Sequence, residues 1–333
     1  MDRRSTLKLF GAAAAAGAMG LPGGAFAAGE KQMVTVVKIA GIPWFNLLEK
    51  GLIKAGSQFG IKTSMVGPAN VDPAQQVKLV EDLIAKKVDV IGLVPLDVKV
   101  LAPVVERAHK AGIMVITQEG PNQSGRTWDV ELINSTTFGE MQMKALAKAM
   151  GEKGEYVVYV GTLTTPLHNK WADAAIAYQK KHYPNMKLAA SRFPGADEID
   201  TSARNTQDVI QAYPKLGGII GFGSNGPIGA GNVVRQRHLQ NRIAVVGTVL
   251  PSQGKSLIES GVIREGFIWS PTDAGFAMVA VASLALKKAA FATGMDVPGL
   301  GKATVDAPAR EIMVNRILVV NKQTINGLIA KGL

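Results

Sequence analysis

Val88-Asp89-Val90-Ile91-Gly92-Leu93-Val94 and Ala111-Gly112-Ile113-Met114-Val115-Ile116-Thr117 are the two stretches that decide the fold. Each is a short apolar run rich in β-branched residues, without the polar alternation of a strand that has one wet face. Between them, residues 98–110 read as an amphipathic helix. A strand buried on both faces, a helix and a second such strand indicate a parallel sheet covered by helices.

The rhythm extends both ways. Upstream, residues 33–39 read as a strand, 45–58 as a helix, 62–66 as a strand and 73–87 as a helix. Asp72 is placed to cap that last helix, with Pro73 at its first position. After Asn134 the pattern restarts. Helices over 138–150, 168–182, 202–212, 228–237 and 252–259 alternate with strands over 155–160, 187–192, 218–222, 242–247 and 263–268. A long helix over 272–291 follows, with the Asp273 carboxylate near its positive N-terminus. Then come a loop-like 294–301 and late strands within 311–320. Two successive blocks of similar size, with no Pro/Gly/Ser-rich linker, predict an α/β chain of two lobes built on parallel sheets.

Residues 1–27 stand apart. Arg3-Arg4-Ser5-Thr6-Leu7-Lys8, an Ala/Gly-rich run and Ala25-Phe26-Ala27 supply the basic start, apolar middle and small-residue cleavage site of an export signal. The paired arginines resemble the bacterial twin-arginine signal, with Thr6 in place of its usual Phe. Gly17, Gly20, Pro22, Gly23 and Gly24 interrupt a run already short for a membrane anchor. A periplasmic protein, cleaved near Ala27, is the expectation. The remaining chain, about 300 residues, is comfortable for two cores. At 47% apolar it is not a disordered chain.

There are no cysteines, which removes disulfides, thiolate metal sites and cysteine nucleophiles. The formal charge is +11; Arg3, Arg4 and Lys8 against Asp2 supply +2 of it, leaving about +9. Lys and Arg are scattered singly or in pairs such as Lys86-Lys87, so no nucleic-acid partner is expected. Gly221-Phe222-Gly223-Ser224-Asn225-Gly226 is formally GxGxxG, but Val245-Val246-Gly247-Thr248 lacks the carboxylate a dinucleotide would need. His109, His168, His182 and His238 are far apart, and no nucleophile elbow or acid/base carboxylate pair is evident. No cofactor, metal site or catalytic residue is therefore expected.

Ile42-Pro43-Trp44-Phe45 after the first strand, Gln75-Gln76-Val77 opening the second helix, the two quoted runs and Trp269-Ser270-Pro271 occur in a distinctive order and spacing. Over residues 33–330 the chain resembles the type I periplasmic sugar-binding proteins, nearest to the rhamnose- and autoinducer-2-binding receptors. Sugar-type repressors share several of these marks, but would need an N-terminal helix-turn-helix where this chain has an export signal. The resemblance implies two doubly wound lobes joined by a three-crossing hinge, with residues 31–134 and 271–300 in one lobe and 135–270 and 301–333 in the other. It also implies a monomer that closes on a small sugar or polyol and docks on a membrane ABC permease; some relatives also serve a chemoreceptor.

In such sheets ligands sit at the carboxyl ends of strands, here the loops after Ile39, Thr117, Val160, Phe222, Gly247 and Ile268. The resemblance places binding residues on the same loops. Trp44 and Phe45 would stack on a sugar, or belong to the core. Glu119 stands where sugar receptors carry an Asp that accepts hydroxyl hydrogen bonds. Gly120 replaces the Arg of ribose receptors, which argues against ribose. His168 and Lys170 open a helix where ribose receptors carry arginines. The Asp-Gln of autoinducer-2 receptors is here Leu167-His168, and their first-loop lysine is Trp44.

Asn225 would bond hydroxyls, or cap the helix starting at Gly226-Pro227. The family's frequent Asp corresponds to about Val249, leaving an apolar wall. Trp269 would cover a second sugar face or pack the hinge, and Asp273 would reach ligand or cap its helix. The expected pocket is more aromatic and less charged than a ribose site, suiting a neutral pentose, deoxysugar or polyol. The rival expectations are a receptor for an autoinducer-2-like signal and an exported sugar-modifying enzyme.

Overall fold

A computed structural model describes residues 30–333; the export signal read over 1–27 lies outside the described residues. The first block runs β1 (Lys31–Val36), α1 (Pro43–Phe59), β2 (Ile61–Val66), α2 (Pro73–Ala85), β3 (Val90–Leu93), α3 (Val98–Lys110), β4 (Met114–Thr117) and β5 (Trp128–Glu131). The second runs α4 (Ser135–Met150), β6 (Gly154–Tyr159), α5 (Pro166–His182), β7 (Met186–Leu188), α6 (Ile199–Ala212), β8 (Leu216–Gly221), α7 (Gly226–Gln236), β9 (Ala244–Thr248), α8 (Pro251–Glu259) and β10 (Ile263–Ile268). The tail adds α9 (Pro271–Leu286), β11 (Asp296–Val297), β12 (Gly301–Lys302), β13 (Thr304–Asp306), β14 (Glu311–Met313), β15 (Leu318–Val320) and α10 (Ile325–Ala330).

Helix starts follow from side chains that satisfy free backbone N–H groups. Asp72 accepts from Ala74 and Asp97 from Lys99 and Val100. Asn134 accepts from Thr137, and Ser270 from Asp273. The quoted strands are buried on both faces as the sequence demands: Ile91, Leu93 and Val115 face the α2–α3 core, while Val90 and Ile116 face the larger one.

One sheet has the order β13-β14-β5-β4-β3-β1-β2, the other β15-β10-β9-β8-β6-β7. Only β13 and β15 pair antiparallel in these two sheets. Each sheet is doubly wound, with its order reversing at β1/β3 or at β6/β8. The short β11–β12 pair overlaps the stretch read as a loop and ends one residue past it.

Two expectations are corrected here, and one strand is added. The tail 301–333 is not confined to the second lobe. β14 pairs with β5 in the first sheet, and only β15 joins β10 in the second. That non-local pairing leaves no local signal. β5 was unanticipated because Asp129 and Glu131 interrupt its apolar run. α9 stops at Leu286, short of 291, where Lys287 caps it and Lys288 turns to φ 56°.

The chain crosses between sheets after β5, after β10 and after β14. The first and third crossings run side by side. Val314 N–H donates to Glu131 O at 2.8 Å, Arg316 N–H to Leu132 O at 2.7 Å and Asn134 N–H to Asn315 Oδ1 at 3.1 Å. The second crossing passes through Trp269-Ser270 into α9, a helix buried from Ala274 to Ser283 and apolar all round. α9 and α1 touch backbone to backbone. A Cβ at Gly51 would overlap Thr272 O, and one at Gly275 would overlap Leu48 O.

Candidate functional site

The two order reversals put the carboxyl ends of β1 and of β6 and β8 beside one small cavity. Both lobes line it. The first gives Lys38, Ile42, Trp44, Phe45 and Glu119; the second gives His168, Asp197, Phe222, Ser224 and Thr248, with Trp269 from the second crossing.

Lys38, just past β1, is 4% exposed. Its Nζ donates to Glu119 Oε2 at 2.8 Å and lies 3.4 Å from His168 Nε2. Burial pushes the Lys38 pKa down, but Glu119, then Asp197, the Glu119 hydrogen bond and Glu131 outweigh it. The net effect holds it above the ordinary 10.5, so Lys38 is an ammonium.

Glu119 sits at φ 56°, a left-handed conformation uncommon for a residue with a side chain. Its neighbours hold the turn: Gln118 N–H donates to Leu93 O at 3.0 Å and Gly120 N–H to Asp129 Oδ1 at 3.2 Å. A Cβ at Gly120 would lie 2.8 Å from Thr117 Cβ, which accounts for a glycine where an arginine is absent.

His168 lies in the first turn of α5 and stacks on Trp171 at 5.3 Å between centroids. Its Nδ1 accepts the Gly161 N–H at 2.9 Å. Burial, then the Lys38 charge, hold its pKa well below the ordinary 6.5 against the opposing pull of Glu119. A Cβ at Gly161 would overlap Asp197 Oδ2, so the glycine makes room for the carboxylate.

Trp269 is the centre of an aromatic cluster. Trp44, Trp171 and Phe138 approach it at 4.9, 5.4 and 5.5 Å, all edge to face. Trp269 Nε1, Thr248 Oγ1 and Asp197 Oδ2 are buried and find no partner among the described residues. Buried polar atoms are nearly always paired, so three orphans lining one cavity mark a place built for a polar guest.

Of the sequence-derived candidates, Trp44, Phe45, Glu119, His168 and Trp269 come together here. Asn225 is adjacent, lining the outer cleft near Asp197. Its Nδ2 donates to Asp197 O at 2.8 Å, and its side chain does not cap α7. Two candidates are corrected. Lys170 is exposed and does not line this cavity, because residues two apart on a helix point to different sides. Asp273 also lies outside the cavity, in the first turn of α9, where its Oδ2 takes Arg316 at 3.4 Å.

The apolar wall expected at Val249 is absent, since Val249 packs under Gly254 and Gly266 while Thr248 faces the cavity. Nor is the lining poor in charge: sequence reasoning missed Lys38 and Asp197. A lone cation closing an apolar strand was the available signal for Lys38; Asp197, in an irregular loop, offered none. Among the described residues, no cluster of three or more His, Asp or Glu is placed to hold a metal ion, and no helix is long and apolar enough to cross a membrane.

Comparison with known proteins agrees with this architecture. The ribose import binding protein of Bacillus subtilis is 29% identical over 127 residues, 37% of this chain and 41% of that protein, so the chain matches under half of that relative. The xylitol-binding protein of Mycolicibacterium smegmatis is 24% identical over 323 residues, covering 92% of this chain and 89% of that protein. A solute-binding protein from Clostridium phytofermentas with bound L-rhamnose superposes with a TM-score of 0.84 at 22% identity, covering 91% of this chain and 99% of that one. The periplasmic binding protein domain matches residues 33–290, and with two parallel sheets, three crossings and a cavity between them the chain belongs to that family.

Proposed function

We propose that this protein is the solute-binding receptor of an ABC importer, exported by the twin-arginine signal at residues 3–8 and working in the periplasm as a monomer without turnover. Its ligand is a small neutral sugar or polyol. The observation that carries this reading is the trio of orphaned polar atoms, Trp269 Nε1, Thr248 Oγ1 and Asp197 Oδ2, facing an indole-walled cavity. Indole edges and faces suit sugar C–H surface, and the orphan donor and acceptors suit hydroxyls.

Within that class the expected ligand is a pentose, a deoxysugar or a short polyol. Two carboxylates, Glu119 and Asp197, stand against one ammonium, Lys38, so an anionic sugar acid is disfavoured. A ligand touching both lobes stabilises the closed arrangement relative to the open one, and the closed form docks on the permease.

Calorimetry of the mature protein against pentoses, deoxysugars and polyols tests this reading. Micromolar or tighter binding of one member is expected; no binding across the panel overturns it. Lys38 in the cavity also favours a second reading, a receptor for an autoinducer-2-like furanose signal or a chemotactic ligand. Including that furanose in the panel separates the two.

A further inference from the structure

His168 Nδ1 accepts the Gly161 N–H, so that nitrogen carries a lone pair and the ring proton must sit on Nε2. Nε2 lies 3.4 Å from Lys38 Nζ, itself an ammonium with only donors. Two donors cannot bond each other. Lys38 spends one N–H on Glu119 Oε2 and has two more. A ligand oxygen placed against both nitrogens would also lie beside the Glu119 carboxylate.

We propose that Lys38, Glu119 and His168 form a single three-pronged holder for one ligand hydroxyl, which accepts from Lys38 Nζ and His168 Nε2 and donates to Glu119. His168 is then a specificity-determining residue, a fixed donor whose tautomer is set by the Gly161 backbone. Only a hydroxyl fills all three roles. A ring or ether oxygen fills two, and a deoxy carbon fills none and leaves buried polar groups facing it. The inference rests on the sugar or polyol reading above.

The tautomer is testable without ligand, by nitrogen-15 spectra of the histidine rings across acid and neutral pH. His168 is expected as the Nε2–H form throughout. A Nδ1–H form, or titration at the ordinary histidine value, overturns the inference.

The holder is tested with the best ligand from the panel and its singly deoxygenated analogues. One analogue is expected to bind about 100-fold or more weaker, because a site built around a hydroxyl rejects its absence strongly. His168→Asn, whose amide oxygen can still accept the Gly161 N–H, should weaken the parent about tenfold but leave that analogue's affinity unchanged. Equal losses for the parent and every analogue, or no loss in His168→Asn, overturn the inference while leaving the function standing. If no carbohydrate binds at all, the functional reading fails, and this inference fails with it.

Discussion

The first lobe brings to the cavity an ion pair, Lys38 and Glu119, already bonded to each other, whereas the second brings Thr248 Oγ1 and Asp197 Oδ2, which nothing among the described residues satisfies. The difference separates two kinds of contribution. A pair made before ligand arrives supports the free protein, and breaking it leaves a buried charge. An orphan costs the free protein and is rewarded only when ligand supplies its partner. Changes on the first side should therefore be felt in both stability and binding, and changes at the orphans in binding alone.

The largest expected effect comes from Glu119→Gln, which strands the Lys38 ammonium in a buried site. Stability should fall by about 3 kcal/mol, and affinity should collapse with it. Adding Lys38→Met should recover most of the stability and none of the affinity, as urea unfolding and calorimetry would show. If the single variant melts like the wild type, the ion pair does not support the free protein and the contrast fails.

Next comes the pH response behind the pair. Glu131 is 3% exposed and lies beside Asp129, whose carboxylate accepts from it when Glu131 is protonated. Burial, then Asp129, Glu119 and Glu311, push its pKa well above the ordinary 4.5. The folded chain thus keeps a proton that the unfolded chain gives up above 4.5. Its contribution is whole below that pH and is lost as pH rises through the folded value. His168 runs the other way, with a contribution present above 6.5 and lost as pH falls through its lowered value. Glu131→Gln should remove the first slope and stabilise the protein at neutral pH by about 1–3 kcal/mol. Unchanged urea midpoints at acid and neutral pH would count against it.

Thr248→Val isolates an orphan. It keeps the β-branched shape and deletes the unpartnered Oγ1, so binding should weaken about tenfold while the free protein is no less stable to within about 1 kcal/mol. A large loss of stability with unchanged affinity would show that the hydroxyl serves the fold rather than the site. Lys170→Ala closes the series: exposed and outside the cavity, it should alter stability by less than about 0.5 kcal/mol and leave affinity unmoved.

The fold was legible wherever a pattern was local. α3 and β10 fall on the residues that the spacing marks, and Asp72 caps α2 as its position demands. What escaped depends on contacts distant in sequence. β14 is fixed by β5, roughly a hundred and eighty residues earlier in the chain. In the site, Trp44, Glu119, His168 and Trp269 were legible because they follow strand ends. Lys38 was hidden inside a run read as a continuous strand. Lys170 was misplaced because loop-based reasoning ignores helical rotation, which separates it from His168 two residues away.

The glycine seam between α1 and α9 carries a further meaning. Trp44 rides on the opening turn of one helix and Trp269 stands immediately ahead of the other, so the two indoles share a common plinth. Prising the helices apart with Gly51→Ala should retune the gap between the rings from beneath, visible as altered tryptophan emission with every lining residue still in place. Selection for guest size is thus written partly into a seam that no guest ever touches.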